Sequence, residues 1–214
     1  MSVSVAADAL ASLRKRVHAA AARAGRAAES VTLLGVAKGT PSDRVVAAVH
    51  AGLADVAENY LQEAAARRSE LAVRIAETGA APPRWHFVGR LQRNKARTAA
   101  LLFEVVHTLD RPELGDALER GAAAAGRSLD ALIQVNTSGE TQKGGAAPDR
   151  VRALLAAGAA WPHLRITGPF LEEPAVEPQR ILQEVAPHQL HARLVGQALV
   201  LLAARELAAE EASG

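Results

Sequence analysis

The sequence has no cysteine, which excludes disulfide bonds, thiolate metal sites and cysteine nucleophiles. Aromatic residues fill only 3% of its 214 positions, while apolar residues fill 49%, so the core must rest on leucine, valine and alanine. No basic segment followed by an apolar stretch opens the chain, and the most apolar run, residues 194–204, is too short to span a bilayer. We therefore expect a single cytoplasmic domain over residues 1–214, with no membrane partner.

Lysine is scarce as well. Only four of the 25 basic residues are lysines: Lys15, Lys38, Lys95 and Lys143. Lysine can form an imine at ordinary pH and arginine cannot, so these positions are candidates for amine chemistry, with chance and codon bias as the competing explanation. The basic residues are scattered and the net charge is only +2, which gives no indication of a nucleic-acid partner.

Short apolar segments alternate with helical patterns along most of the chain. Such alternation is typical of βα units with buried parallel strands. It predicts six strands, at residues 31–38, 53–57, 85–88, 105–109, 131–136 and 164–168. Helices are predicted at residues 8–25, 40–51, 60–78, from 94, 111–125, 148–157 and 188–211. The second of these begins with Thr40 as its N-cap.

Four residues at or near strand ends are candidates for a binding site. A (β/α) barrel places its chemistry at the C-terminal strand ends, and a lysine partly removed from water there has a lowered pKa and a nucleophilic amine. Lys38 ends the first predicted strand, with a solvated lysine as the alternative. Asn59 and Asn136 follow other strands, where each binds a ligand or satisfies backbone groups. His86 lies between Trp85 and Phe87 and is either close to a ligand or an ordinary buried histidine.

Five segments, in order, resemble signatures of the pyridoxal phosphate homeostasis proteins. Together they cover roughly residues 10–168, and Ala57 stands where the family usually has glycine. The segments are LLGVAK (33–38), AENYLQE (57–63), WHFVGRLQRNK (85–95), HTLDR (107–111) and IQVNTS (133–138).

The resemblance implies an α/β fold, a (β/α) TIM-type barrel like the N-terminal domain of alanine racemase. It also implies pyridoxal 5′-phosphate (PLP) held as a Schiff base on Lys38, with Asn59, His86 and Asn136 as further cofactor-binding candidates and no metal. Such a protein carries or buffers PLP rather than turning over a substrate. Racemisation needs a second acid/base group from another domain, for which this chain has no room.

The resemblance weakens after residue 168. The family's remaining signatures, which hold the cofactor phosphate, do not stand intact in the divergent segment 169–214. Six strands predict an incomplete barrel with two unpaired edges. The predicted helix over residues 188–211 or a second copy of the chain would cover them, so we expect a monomer or a weak homodimer.

Three functions remain open at this point. The first is a PLP-binding protein of intracellular PLP homeostasis. The second is a degenerate barrel that no longer holds PLP and acts as a non-catalytic interaction protein. The third is an enzyme that uses Lys38 as a Schiff-base lysine without PLP. An absorbance spectrum with added PLP separates the first from the second.

Overall fold

The computed structural model describes residues 3–138, 140, 144–171 and 198–203. The chain divides into two compact units, residues 1–85 with 196–214, and residues 86–195. Helices and strands alternate in both. In chain order they are α1 (Val3–Arg23), β1 (Val31–Val36), α2 (Ser42–His50), β2 (Asp55–Glu58), α3 (Leu61–Glu77), β3 (Arg84–Phe87), α4 (Ala96–Leu102), β4 (Val105–Leu109), α5 (Pro112–Ala124), β5 (Leu129–Val135), α6 (Val151–Ala157), β6 (Leu164–Leu171) and β7 (Ala198–Ala203).

The first unit is built on parallel strands in the order β2-β1-β7. Leu34 of β1 and Val56 of β2 are almost fully buried, as befits strands covered by helices. Leu71 and Ile75, one turn apart on α3, are buried too and give that helix its apolar face. The core of this unit therefore lies between the strands and the helices that connect them.

The second unit contains parallel strands in the order β6-β5-β4-β3, and all five residues of β4 are buried. The rings of Phe87 and Phe103 pack with centroids 5.3 Å apart. Leu114 and Leu118, one turn apart on α5, are fully buried. This regular spacing of apolar residues fixes which face of α5 points inward.

The six predicted strands are confirmed; β4 matches its predicted bounds and the other five differ by one to three residues at one or both ends. The physical reason is visible for β2 and β6. β2 starts at Asp55 instead of residue 53, because the N–H of Leu53 donates to the carbonyl of Ala48 at 3.0 Å and belongs to the cap of α2. β6 continues through Pro169 to Leu171. Pairing between β5 and β6 shifts register just before that proline, and such irregularities are where a strand tolerates proline.

The predicted helix over residues 188–211 is wrong for residues 198–203, which form β7; its other residues lie outside the described part of the chain. β7 runs parallel to β1 and pairs with it from Val31 to Val36. A run of alanine, leucine and valine suits a buried strand as well as a helix, and six backbone partners on β1 decide between them. β1 is therefore not an open edge of its sheet. The single domain remains a prediction.

Candidate functional site

Lys38 lies in a tight turn directly after β1. The turn runs from Ala37 to Thr40 and is closed by the N–H of Thr40, which donates to the Ala37 carbonyl at 3.0 Å. Gly39 has φ +67°, a conformation that residues with side chains rarely adopt, so glycine lets the chain reverse immediately after the lysine. The N–H of Ala37 still donates to the carbonyl of Ala57 on β2, at 2.8 Å. The turn thus begins where the sheet pairing ends.

The Lys38 side chain is exposed, and its ammonium lies 5.4 Å from the centre of the Tyr60 ring, within cation–π range. Among the described residues it has no carboxylate partner. The structure shows the solvated alternative for Lys38, and the expected partial desolvation is wrong, because the turn carries the residue beyond the buried strand. The amine is therefore open to an incoming ligand.

Glu58 and Asn59 occupy the carboxyl end of β2. β1 and β2 pair as far as Val36 and Ala57, so Asn59 and Lys38 each lie two residues beyond the last pair, at the same edge of the sheet. Within the described residues, the buried Oδ1 atom of Asn59 makes no hydrogen bond. Glu58 is only 2% exposed, and this burial raises the pKa of its carboxyl, an effect that the Arg67 guanidinium 3.4 Å away opposes.

Thr40 supplies a second buried oxygen near Lys38. Helix α2 begins at Ser42, and its N-cap residue is Pro41, which makes no side-chain cap hydrogen bond. The predicted N-cap role of Thr40 is therefore wrong. The turn closed by Gly39 holds Thr40 outside the helix, and its Oγ1 atom has no hydrogen-bond partner in the described chain. Thr40 Oγ1 and Asn59 Oδ1 therefore both have unused hydrogen-bonding capacity among the described residues.

Sequence reasoning missed two residues of this neighbourhood, Thr40 and Arg67. The side chain of Arg67, on α3, donates to the carbonyls of Ala37 and Thr40. Nothing in the sequence distinguishes Arg67 from the other arginines of the chain. Thr40 was visible only as a helix-capping residue, because the positive φ of Gly39 cannot be read from the chain.

His86 is one member of a buried histidine pair in the second unit. Its Nδ1 lies 2.9 Å from Nε2 of His107, and the two residues are 4% and 1% exposed. The ring of His107 meets that of Phe170 edge-on, with centroids 5.2 Å apart. The flanking Trp85 and Phe87 are buried, as predicted. His86 thus has the surroundings of a buried core histidine, and its role in cofactor binding stays a prediction.

Asn136 follows β5 and holds its own loop together. Its Nδ2 donates to the carbonyl of Glu140 at 2.8 Å, and its Oδ1 accepts from the Ser138 hydroxyl at 3.1 Å. Its backbone N–H donates to the carbonyl of Ala146 at 2.9 Å. The asparagine side chain therefore satisfies local groups at the strand end, which was one of its two predicted roles.

The four predicted site residues are divided between the units. Lys38 and Asn59 lie on neighbouring strands of the first, while His86 and Asn136 lie in the second. Whether all four form one site stays a prediction, and Lys143 lies outside the described residues. In the part of the chain that the structure describes, no group of three or more potential metal ligands occurs. Nor does any described helix combine the length and apolar character needed to cross a membrane.

Comparison with known proteins shows which family this chain belongs to. Residues 9–178 match the family model for the N-terminal domain of alanine racemase. A pyridoxal phosphate homeostasis protein from Pseudomonas aeruginosa is 38% identical over 193 residues, which cover 90% of this chain and 78% of that protein. The chain belongs to the pyridoxal phosphate homeostasis family. This membership confirms the predicted fold class, the α/β barrel type of the alanine racemase N-terminal domain.

A second relative and a solved structure agree with this assignment. The pyridoxal phosphate homeostasis protein of Escherichia coli K12 is 35% identical over 187 residues, covering 87% of this chain and 78% of that protein. Among solved structures, PipY of Synechococcus elongatus with PLP bound is 25% identical and has a TM-score of 0.70. That match covers 94% of this chain and 98% of PipY.

Proposed function

We propose that this chain binds PLP and takes part in intracellular PLP homeostasis, with the cofactor held as a Schiff base on Lys38. The observation that carries the proposal is the exposed Lys38 amine in the turn after β1, together with the unbonded buried oxygens of Thr40, in the same turn, and of Asn59, which follows the neighbouring strand. The names of the curated relatives and the PLP in PipY point to the same ligand.

The residues near Lys38 fit a polar cofactor. A buried oxygen without a hydrogen-bond partner costs roughly 1–3 kcal/mol, and a ligand that bonds to it recovers part of that cost. The Thr40 hydroxyl can donate to an anionic oxygen, and the Asn59 amide can accept or donate. The polar groups of PLP match these needs.

The role of Lys38 in this proposal is that of a nucleophilic amine. PLP brings an aldehyde, which condenses with a neutral lysine amine and releases water. The Tyr60 ring, whose centre lies 5.4 Å from the ammonium, contacts the side chain before the ligand arrives and limits where the amine lies. The proposal gives the chain a carrier role without substrate turnover, as a monomer or weak homodimer.

The test begins with PLP added to the purified protein. We expect an absorbance band at ~420 nm that disappears on borohydride reduction, which fixes the cofactor to the protein. Mass spectrometry of peptides should then find the added mass on Lys38. Lys38→Arg keeps the charge but cannot form the imine, so it should lose the band completely.

Lys95→Arg is the matched control, because Lys95 lies in the turn before α4 and ends no buried strand. It should keep the band. A label found on Lys95 or Lys143 in the wild-type chain would refute the assignment of Lys38. A protein that stays colourless with excess PLP would instead favour the degenerate barrel that acts as an interaction protein.

A further inference from the structure

Arg67 grips both ends of the turn that contains Lys38. Its Nη1 donates to the carbonyl of Ala37 at 2.9 Å, and its Nη2 donates to the carbonyl of Thr40. The guanidinium group thus bridges the first and last residues of the turn, whose own closing hydrogen bond joins the same two residues. The guanidinium group suits this arrangement because its donors are held in a rigid planar fork, whereas those of a lysine ammonium rotate on a flexible stem.

Arg67 also forms an ion pair with Glu58. Its Nη1 lies 3.4 Å from Oε1 of Glu58 at the end of β2, and the two side chains are 16% and 3% exposed. A charge pair so far removed from water keeps more of its attraction than a surface pair. Arg67 therefore links the Lys38 turn both to α3 and to β2, the strand that Asn59 follows.

The turn needs such support because of its sequence. Gly39 supplies the positive φ that closes it, but glycine also allows the backbone many other conformations. Lys38 is exposed, so the packing of its side chain does little to restrain its backbone. The carbonyl contacts of Arg67 supply the restraint that packing does not.

We propose that Arg67 is a positioning residue for Lys38. It fixes the backbone on both sides of the lysine, so that the amine is presented in one orientation to the aldehyde of the cofactor. This inference rests on the proposed function of Lys38. A restrained amine loses less conformational freedom when it binds, which raises the affinity for PLP without any contact between Arg67 and the ligand.

The experiment compares Arg67→Met, Arg67→Lys and the wild-type chain by PLP titration, followed through the ~420 nm band. Arg67→Met removes both carbonyl contacts and should weaken PLP binding about tenfold, the loss expected for charge-assisted hydrogen bonds. Arg67→Lys restores the charge beside Glu58 without the fork. It should recover stability in urea but leave PLP binding close to that of Arg67→Met.

Hydrogen exchange on the protein without PLP gives an independent readout. In Arg67→Met the amide of Thr40, which donates within the turn, should exchange about tenfold faster, while amides inside α3 keep their wild-type rates. Arg74→Met is the matched control. Arg74 lies on the same helix and pairs with the exposed Asp43 and Glu70 instead of the carbonyls of Ala37 and Thr40, so its loss should change neither readout.

The outcomes separate the two proposals. A wild-type chain that forms no band would overturn the proposed function, and this inference with it. A normal wild-type band that Arg67→Met leaves unchanged would overturn this inference alone. Full recovery of PLP binding in Arg67→Lys would also overturn it, because charge rather than the grip on two carbonyls would then be responsible.

Discussion

The two units differ in the hydrogen bonds of the asparagine that follows one of their strands. Asn59 in the first unit follows β2 and has a buried Oδ1 without a hydrogen bond in the described chain. Asn136 in the second unit follows β5 and uses both ends of its amide on its own loop, through Glu140 and Ser138. The same residue type at equivalent positions on two strands thus serves a different purpose in each unit. One leaves its Oδ1 without a partner among the described residues, and the other uses both ends of its amide within a loop.

The contrast extends to the packing around them. In the second unit, Trp161 lies against Gly115 and donates to the carboxylate of Asp116 at 2.9 Å. His163 there is bonded twice to Glu119, through its backbone N–H and its ring. Near Lys38 in the first unit, by comparison, Thr40 Oγ1 and Asn59 Oδ1 are buried without a hydrogen bond among the described residues. The buried Oγ1 of Thr108 in the second unit shares this feature, so the contrast holds for the surroundings of the two asparagines and not for the units as a whole.

The largest effect is expected where the second unit is most tightly packed. A Cβ atom at Gly115 would lie 2.2 Å from the Trp161 ring, so Gly115→Ala forces helix α5 and the ring apart. We expect a loss of about 3 kcal/mol in the free energy of unfolding, measured by urea denaturation. Gly121→Ala is the control on the same helix, where the nearest atoms are 3.0 Å away and the gain in helix propensity partly offsets the crowding. Equal losses in the two variants would contradict the tight contact.

Smaller effects, on PLP binding and on stability, are expected at the two strand-end asparagines, Asn59 and Asn136. Asn59→Ala should weaken PLP binding about fivefold, the value of one hydrogen bond, with little change in stability. Asn136→Ala should lower the free energy of unfolding by about 1 kcal/mol and leave PLP binding almost unchanged. PLP titration and urea denaturation of both variants measure this. If Asn136→Ala weakened PLP binding more than Asn59→Ala, the contrast between the two units would fail.

The smallest effect concerns the pH dependence of stability. The pKa of buried Glu58 is raised above its ordinary value of 4.5, chiefly by desolvation, so the folded chain holds this proton more strongly than the unfolded chain. The contribution of Glu58 to stability therefore decreases as the pH rises from the unfolded pKa through the higher folded pKa. Glu58→Gln does not titrate and should lack this decrease in urea denaturation from about pH 4 to about pH 7.

Glu77→Gln is the control for that experiment, because it removes an exposed carboxylate from the end of α3. Its pH profile should follow the wild type. If Glu58→Gln also followed the wild type, the buried carboxyl of Glu58 would not be the source of the decrease.

Much of the fold could be predicted because its signals are local. The five residues of β4 are a short apolar run between turn signals, and the prediction matched its bounds. The placement of Lys38 at the end of β1 followed from the same pattern. The exposure of Lys38 could not be predicted, because it depends on the turn that Gly39 closes and on Tyr60 from the next strand-end segment.

The sequence by itself determined the six strands up to β6 and the family, since both are recorded in neighbouring residues. Only the tertiary structure decided that residues 198–203 form β7, because an alanine- and leucine-rich run suits both helix and strand until β1 offers its backbone groups. It also decided that, among the described residues, Oδ1 of Asn59 has no hydrogen-bond partner whereas Oδ1 of Asn136 has one. Hydrogen-bond partners of a side chain come from whichever segments folding brings together, and spacing along the chain does not encode them.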